Sequence, residues 1–359
     1  MSLVQPWPRP VLEAAAHYEQ LGQQVFLDME DDDDDNARSD LTKFPCVCVD
    51  AKGTTFRDDA IGIRPREGTG RPVDPTVSKW EILVHIVDVS DIYAPSNKVP
   101  KHVKQDLRVL EDAAQSRGIS RYDLPFGPLH LLPPSVLKVL GFSKKKGVQR
   151  CLTLWVYMDD KTGRVHDMGL ERTITGKPVE LTYQQALALM DQPKPSNSEA
   201  AKTRALLLVL DRHLGKWYEN RYKNNVEFRK RDTRMSKKAQ KSRDAAEYAS
   251  YSDLEDQFQR TRSHLLVDSA LELYAFGARG LLNKANAPIP LARGAEAGRS
   301  ATAPLRRYID GMCQKQLLAV ILGQGVPMSL QECRRAGRIA NDARNKILET
   351  TAARQPKGR

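Results

Sequence analysis

Residues 49–63 read VDAKGTTFRDDAIGI, and the fold turns on how this stretch is placed. The run at 45–50, PCVCVD, has the β-branched content of a short strand that ends on a carboxylate, and 60–63 begins the next strand. Three acidic residues, Asp50, Asp58 and Asp59, fall within ten positions around the intervening loop. Carboxylate oxygens are hard ligands, and several converging ones can hold Mg²⁺ while leaving room for water and phosphate oxygens. Two such ions can activate a water and stabilise the departing oxygen of an in-line phosphodiester displacement. Taken alone, the same loop reads as a solvated acidic turn.

Working outward, 64–78 is a Gly- and Pro-containing hairpin loop, and 80–89, WEILVHIVDV, is the clearest strand in the chain. Helical spacing follows at 103–114, then a Pro-rich irregular stretch at 124–134 and a strand at 151–158, CLTLWVYM. From residue 182 onward helices dominate, at 183–190, 200–222, 262–284 and 304–322. Mixed strands first and helices later argue for an α+β fold over a repeating βαβ layout. Upstream, 1–45 is a lead-in with a helical stretch at 11–27 and a solvated acidic run at 28–35.

The composition, 40 % hydrophobic and 28 % charged over 359 residues, is that of a globular chain with a real core. No apolar run approaches the ~20 residues of a membrane-spanning helix, and the N-terminus carries no secretory or organellar pattern, so a reducing interior is expected. The five cysteines, Cys46, Cys48, Cys151, Cys313 and Cys333, form no CxxC unit and indicate neither zinc nor a disulfide framework. A formal net charge of +11 suits a polyanionic partner, because Lys and Arg displace counterions from phosphates. The segment 229–243, RKRDTRMSKKAQKSR, holds eight basic residues in fifteen and reads either as a track for an RNA backbone or as a solvated loop.

Four segments together resemble the ribonuclease II family: the Asp50 to Asp59 stretch, VHIVDVS at 84–90, RGISRYDLPFGPLHLLP at 117–133 and ATAPLRRYID at 301–310. They occur in the family's order. The resemblance implies an RNB-type catalytic domain with a mixed β-sheet core surrounded by α-helices. It is expected at 40–325, between the lead-in at 1–39 and a helical extension with a basic tail at 326–359. It implies Mg²⁺ or Mn²⁺ at Asp50, Asp58 and Asp59, with catalytic roles for Asp58, Arg306, Asp268 and Tyr183. Single-stranded RNA would be gripped by Tyr122, Phe228, Arg307, Arg229 and Lys230. A guanidinium such as that of Arg306 can hold phosphate oxygens bidentately, and ring stacking on bases is worth roughly 1–3 kcal/mol per base whatever the sequence. For Tyr122, Tyr183 and Phe228 ordinary core packing is the competing reading.

The chain departs from the family pattern at four positions. Phe56 stands where the family carries a further aspartate, Ala303 replaces a serine, and Asp268-Ser269 replaces a pair of glutamates. His264, Asp268 and Glu272 share one helix face, a spacing that can bind a metal but more often marks the polar side of an amphipathic helix. No flanking oligonucleotide-binding barrel is expected in the residues before and after the motifs, so a protein or ribonucleoprotein partner would supply additional grip. Three functions follow: a 3′-to-5′ exoribonuclease that releases nucleoside 5′-monophosphates, a catalytically impaired RNB-fold RNA-binding or assembly factor within a ribonucleoprotein complex, or, third, a protein–protein scaffold whose basic surface serves solubility.

Overall fold

The computed structural model describes residues 7–28, 37–67, 78–193 (apart from 123, 125 and 126), 195, 197–223, 261–292 and 301–354. Phe228, Arg229, Lys230 and the rest of the basic segment lie outside the described residues. Seven strands form one mixed sheet: β1 (Ser39–Leu41), β2 (Cys46–Asp50), β3 (Asp59–Pro65), β4 (Trp80–Val87), β5 (Gln149–Met158), β6 (Val165–Thr175) and β7 (Val179–Thr182). Their order across the sheet is β1-β6-β5-β4-β3-β2-β7. The outer pairs β1–β6 and β2–β7 are parallel and the pairs between them antiparallel.

Among the described residues nine helices surround the sheet: α1 (Arg9–Asp28), α2 (Ser90–Tyr93), α3 (Lys101–Arg117), α4 (Pro134–Leu140), α5 (Tyr183–Asp191), α6 (Ser198–Lys223), α7 (Arg262–Lys284), α8 (Tyr308–Ile321) and α9 (Leu330–Arg354). The α+β class and the mixed sheet enclosed by helices agree with the reading from sequence. Five elements were not legible there: the three-residue strand β1, the one-turn helix α2, α4, which starts within the Pro-rich stretch, and the strands β6 and β7. The strand expected at 80–89 stops at Val87, because Asp88 accepts the backbone N–H of Ser90 at 2.8 Å and turns the chain into α2.

Strand periodicity decides what each face of the sheet buries. Ile61 and Ile63 on β3, Ile82, Val84 and Ile86 on β4, and Leu152, Leu154 and Val156 on β5 point to one side, into an apolar core closed by α6 and α7. The opposite face of the same strands mixes apolar residues such as Leu83 and Tyr157 with a polar network. There His85 bonds Thr153 at 2.8 Å, Thr153 bonds Thr173 at 2.6 Å, and Arg64 pairs with Glu81 and Glu171. Gly62 is required beneath His85, since a Cβ at that position would lie 2.8 Å from the Pro45 carbonyl oxygen and 3.2 Å from His85 Nε2.

A second apolar core joins α1, α3 and α4 to the end of β4 through Tyr18, Phe26, Leu107, Leu137 and Val87. A charged knot runs through it. Arg150, fully buried on β5, makes a two-pronged pair with Asp91 of α2, and Tyr18 of α1 donates to the same carboxylate at 3.2 Å. Alongside, Asp88 pairs with Arg38 at 2.5 Å. Burial alone would raise the Asp88 pKa, but Arg38, Arg150 and the Ser90 bond hold it well below the usual carboxylate range.

Removing one partner of a buried pair strands the other charge, which costs about 3–5 kcal/mol. Arg150→Ala is therefore expected to lower stability by about that amount in urea titration, with Asp91→Ala close behind. His85 gives a pH test. Burial, with Arg64 nearby, depresses its pKa from 6.5 to about 3. The folded chain thus keeps this imidazole neutral while the unfolded chain protonates it, so its contribution is complete above pH 6.5 and is lost as pH falls toward 3. Across that window His85→Asn should flatten the stability slope by up to about 1.4 kcal/mol per pH unit. An unchanged slope in denaturation at pH 4, 5, 6 and 7 would contradict this.

Candidate functional site

The first and last sequence motifs meet at Asp58, just before β3. Asp58 is buried, and each of its oxygens is engaged: Oδ1 accepts the Leu305 backbone N–H at 2.8 Å and Oδ2 accepts Arg306 Nε at 3.1 Å. The turn that presents Arg306 is held from behind. Asp310 accepts the Ala303 N–H at 2.8 Å and pairs with Arg307 at 2.8 Å, while Arg307 also donates to Thr302 at 3.0 Å. The turn begins at Ala301 with φ of 73°, a left-handed conformation uncommon outside glycine.

The third motif braces this turn. Gly118 closes α3 with φ of 70°, and its carbonyl accepts the Tyr308 N–H at 3.0 Å. Ser120 N–H then donates to the Arg306 carbonyl at 2.8 Å, so 117–121 and 305–308 lie side by side. The chain folds back through reciprocal bonds between Arg121 and Leu129. This places Tyr122 against His130, ring centroids 5.8 Å apart, and His130 in turn meets Phe56 edge-on at 5.1 Å. Phe56, the residue replacing a family carboxylate, is thus part of a row of rings, and it also packs against the α1–α3–α4 core.

Asp50 and Asp59 complete the acidic group. Burial raises the Asp50 pKa to about 6, with Arg57 and Arg306 opposing and Asp58 and Glu180 reinforcing. Burial likewise raises Asp58 to about 6 against the pull of Arg306 and the Leu305 N–H. Asp59 is raised well above its ordinary range by burial and then by the neighbouring charges of Asp50 and Asp58. Arg306 thus contacts Asp58 directly and acts electrostatically on Asp50 and Asp59 as well. One further cation was not singled out from the sequence: Arg57 lies 3.4 Å from Asp50 and 3.5 Å from Glu180 of β7. The available signal was the position of Arg57 between the lost carboxylate at Phe56 and the retained Asp58-Asp59 pair.

Tyr183 is placed close by. In the parallel pairing of β2 with β7, Asp50 stands opposite Thr182, and Tyr183 opens α5 one residue later. A capping box fixes that start, Gln185 N–H donating to Thr182 Oγ1 at 3.1 Å and Thr182 N–H to Gln185 Oε1 at 2.8 Å. The Tyr183 ring lies flat on His264 of α7, centroids 3.8 Å apart and planes within 16°. Asp268 sits one helical turn beyond His264 and is not among the charges acting most strongly on Asp50, Asp58 or Asp59. The structure thus brings Asp50, Asp58, Asp59 and Arg306 together, sets Tyr122 and Tyr183 beside them, and ties Arg307 into its own turn.

These residues do not make a ready seat for a divalent metal. Both oxygens of Asp58 are bonded, Asp50 faces Arg57, and a phenyl ring at Phe56 offers no donor. Among the described residues no three Asp, Glu, His or Cys side chains lie close enough together to hold a metal ion. Because Phe56 is half-buried among His130 and the core, Phe56→Ala should cost about 2 kcal/mol. Phe56→Asp should cost more, since it would set a charge against His130 and the apolar core in place of a ring; urea midpoints for the two variants in EDTA give the comparison.

Comparison with known proteins bears on this arrangement. The family model described as the RNB domain matches residues 38–291. No curated protein sequence matches significantly. Three solved structures superpose well. Yeast Ssd1, a pseudonuclease, has a TM-score of 0.59 at 12 % identity over 87 % of this chain and 44 % of its own. An active-site mutant of the Dss1 exoribonuclease from Candida glabrata has a TM-score of 0.64 at 14 % identity, covering 92 % and 46 %. Mycoplasma genitalium RNase R in complex with ribose-methylated single-stranded RNA has a TM-score of 0.59 at 12 % identity, covering 96 % and 64 %. The chain thus spans 44–64 % of the lengths of these three. No helix among the described residues is long and apolar enough to cross a membrane.

Proposed function

The chain belongs to the RNB-domain family, and on that premise we propose that it binds the 3′ end of single-stranded RNA beside the Asp58–Arg306 pair as a catalytically impaired RNA-binding or assembly factor within a ribonucleoprotein complex. The observation that carries this reading is the state of the acidic group. Asp58 is answered by Leu305 and Arg306, Asp50 by Arg57, and a phenyl ring stands at Phe56. Mg²⁺ demands near-octahedral oxygen ligands, and a group already neutralised by guanidiniums does not offer them.

RNA binding makes no such demand. Phosphates gain affinity from basic side chains by counterion release, a role open to Arg306, Arg307, Arg229 and Lys230. Tyr122, Tyr183 and Phe228 supply rings for stacking on bases. The RNA-bound RNase R that shares this fold supports RNA binding by these residues. Asp268, one methylene shorter than a glutamate, would reach less far toward a scissile phosphate.

A second reading is favoured by one observation: burial, and for Asp50 and Asp59 also the charge of neighbouring carboxylates, raises the pKa values of the acidic group, which a divalent cation would relieve. On that reading the chain is a 3′-to-5′ exoribonuclease that uses Mg²⁺ or Mn²⁺ and releases nucleoside 5′-monophosphates.

Incubation with 5′-labelled oligo(A) and either ion separates the two. Salt-dependent retardation of intact RNA is expected. A 3′-shortened ladder that disappears in Asp58→Asn would establish the exoribonuclease instead, and failure to bind RNA at any salt concentration would remove both.

A further inference from the structure

Arg57 belongs to the step in sequence where this chain leaves the family pattern. At Phe56-Arg57 a carboxylate is missing and a guanidinium follows directly. The backbone here is pinned from outside the strand: Phe142 N–H donates to the Arg57 carbonyl at 3.0 Å, and the two residues form an isolated antiparallel bridge. The side chain is only 19 % exposed.

The two carboxylates it faces are also fixed. In the β2–β7 ladder Glu180 stands opposite Cys48 and Thr182 opposite Asp50, so Glu180 and Asp50 share one side of neighbouring strands. Glu180 is held through its other oxygen, which accepts the Lys144 N–H at 2.7 Å. Arg57 reaches Asp50 through Nε at 3.4 Å and Glu180 through Nη2 at 3.5 Å. Those separations exceed the ~2.7–2.9 Å of a tight charge-assisted hydrogen bond. The interaction is therefore a positive charge set between two anions rather than a two-pronged clamp on one of them.

We infer that Arg57 is a resident cation: bridging Asp50 and Glu180, it takes the electrostatic place of a divalent metal at this site and leaves the site indifferent to metal. Asp59 and Asp58 add negative charge on one flank, and Arg306 answers it on the other. A guanidinium that never dissociates does not couple the site to the supply of divalent ions. Where the RNA-binding reading above also holds, phosphates are met directly by Arg57 and Arg306, without a bridging ion.

The test reads Mn²⁺ directly, by loss of the free-ion electron paramagnetic resonance signal on titration, and needs no RNA. Wild type is expected to show no saturable site up to about 1 mM Mn²⁺. Arg57→Lys, which keeps the charge, should behave the same way. Arg57→Gln removes the guanidinium shared by Asp50 and Glu180 and should gain a site at least about 10-fold tighter than any in wild type. RNA affinity of wild type should be unchanged by EDTA, whereas that of Arg57→Gln should fall in EDTA and recover with Mn²⁺.

Two results would overturn the inference: a sub-millimolar Mn²⁺ site in wild type that Asp50→Asn abolishes, or a folded Arg57→Gln that takes up no more Mn²⁺ than wild type. Should Arg57→Gln fail to fold, the wild-type titration with its Asp50→Asn control still decides. Absence of RNA binding would defeat the functional proposal while leaving the Mn²⁺ result intact.

Discussion

Asp58 is where the chain closes on itself. Its two oxygens hold a backbone N–H and a guanidinium that arrive from nearly 250 residues further along, so the mouth of β3 and the turn before α8 cannot be positioned independently. Everything around the site is arranged to keep that contact. Asp310 ties the turn together from within, Gly118 and Ser120 brace it from the side, and Gln314 of α8 fastens the same region to the end of β4 through Val89 N–H and the Val87 carbonyl. A carboxylate removed from water and still charged is tolerable only with such partners.

The sheet shows how much charge this fold carries inside. One face is an apolar layer under α6 and α7; the other bears histidine, threonines and a network of arginines and glutamates that in most proteins would sit in water. Each buried ion meets an opposite charge or a hydrogen-bonding neighbour, so these groups specify which strand lies beside which. The acidic group at the site is the exception in degree: burial, reinforced by neighbouring carboxylates, keeps its pKa values raised even with two guanidiniums nearby.

What was legible in the sequence follows from where the determining interactions lie. The strands β3, β4 and β5 and the long helices α3, α6, α7 and α8 could be read because burial imposes a strong apolar pattern on each. β6 could not, since its charged and polar residues mask the alternation, and β7 is only four residues long with its pairing partner far upstream. α4 is hidden by the prolines that start it, although Pro at the first helical turn is a favourable signal. At the site, the convergence of Asp50, Asp58, Asp59 and Arg306 could be anticipated from motif order. The bridge from Arg57 to Glu180 could not, because it depends on a parallel register between strands more than 125 residues apart. The His264 ring lying on Tyr183 was equally out of reach, as it joins two helices through a contact that no local pattern announces.

The second apolar core also bears on where this protein can be cut. Segment 38–291, which carries the acidic residues, contains neither Tyr18 and Phe26 of α1 nor Tyr308 and Met312 of α8. A recombinant fragment trimmed to those limits would leave Arg150 and Asp91 without the helix that shelters them and Asp58 without its arginine. Such a piece would expose a raw apolar flank and is poorly suited to expression as a soluble unit; sound boundaries for a minimal version have to retain α1 and run at least through α8.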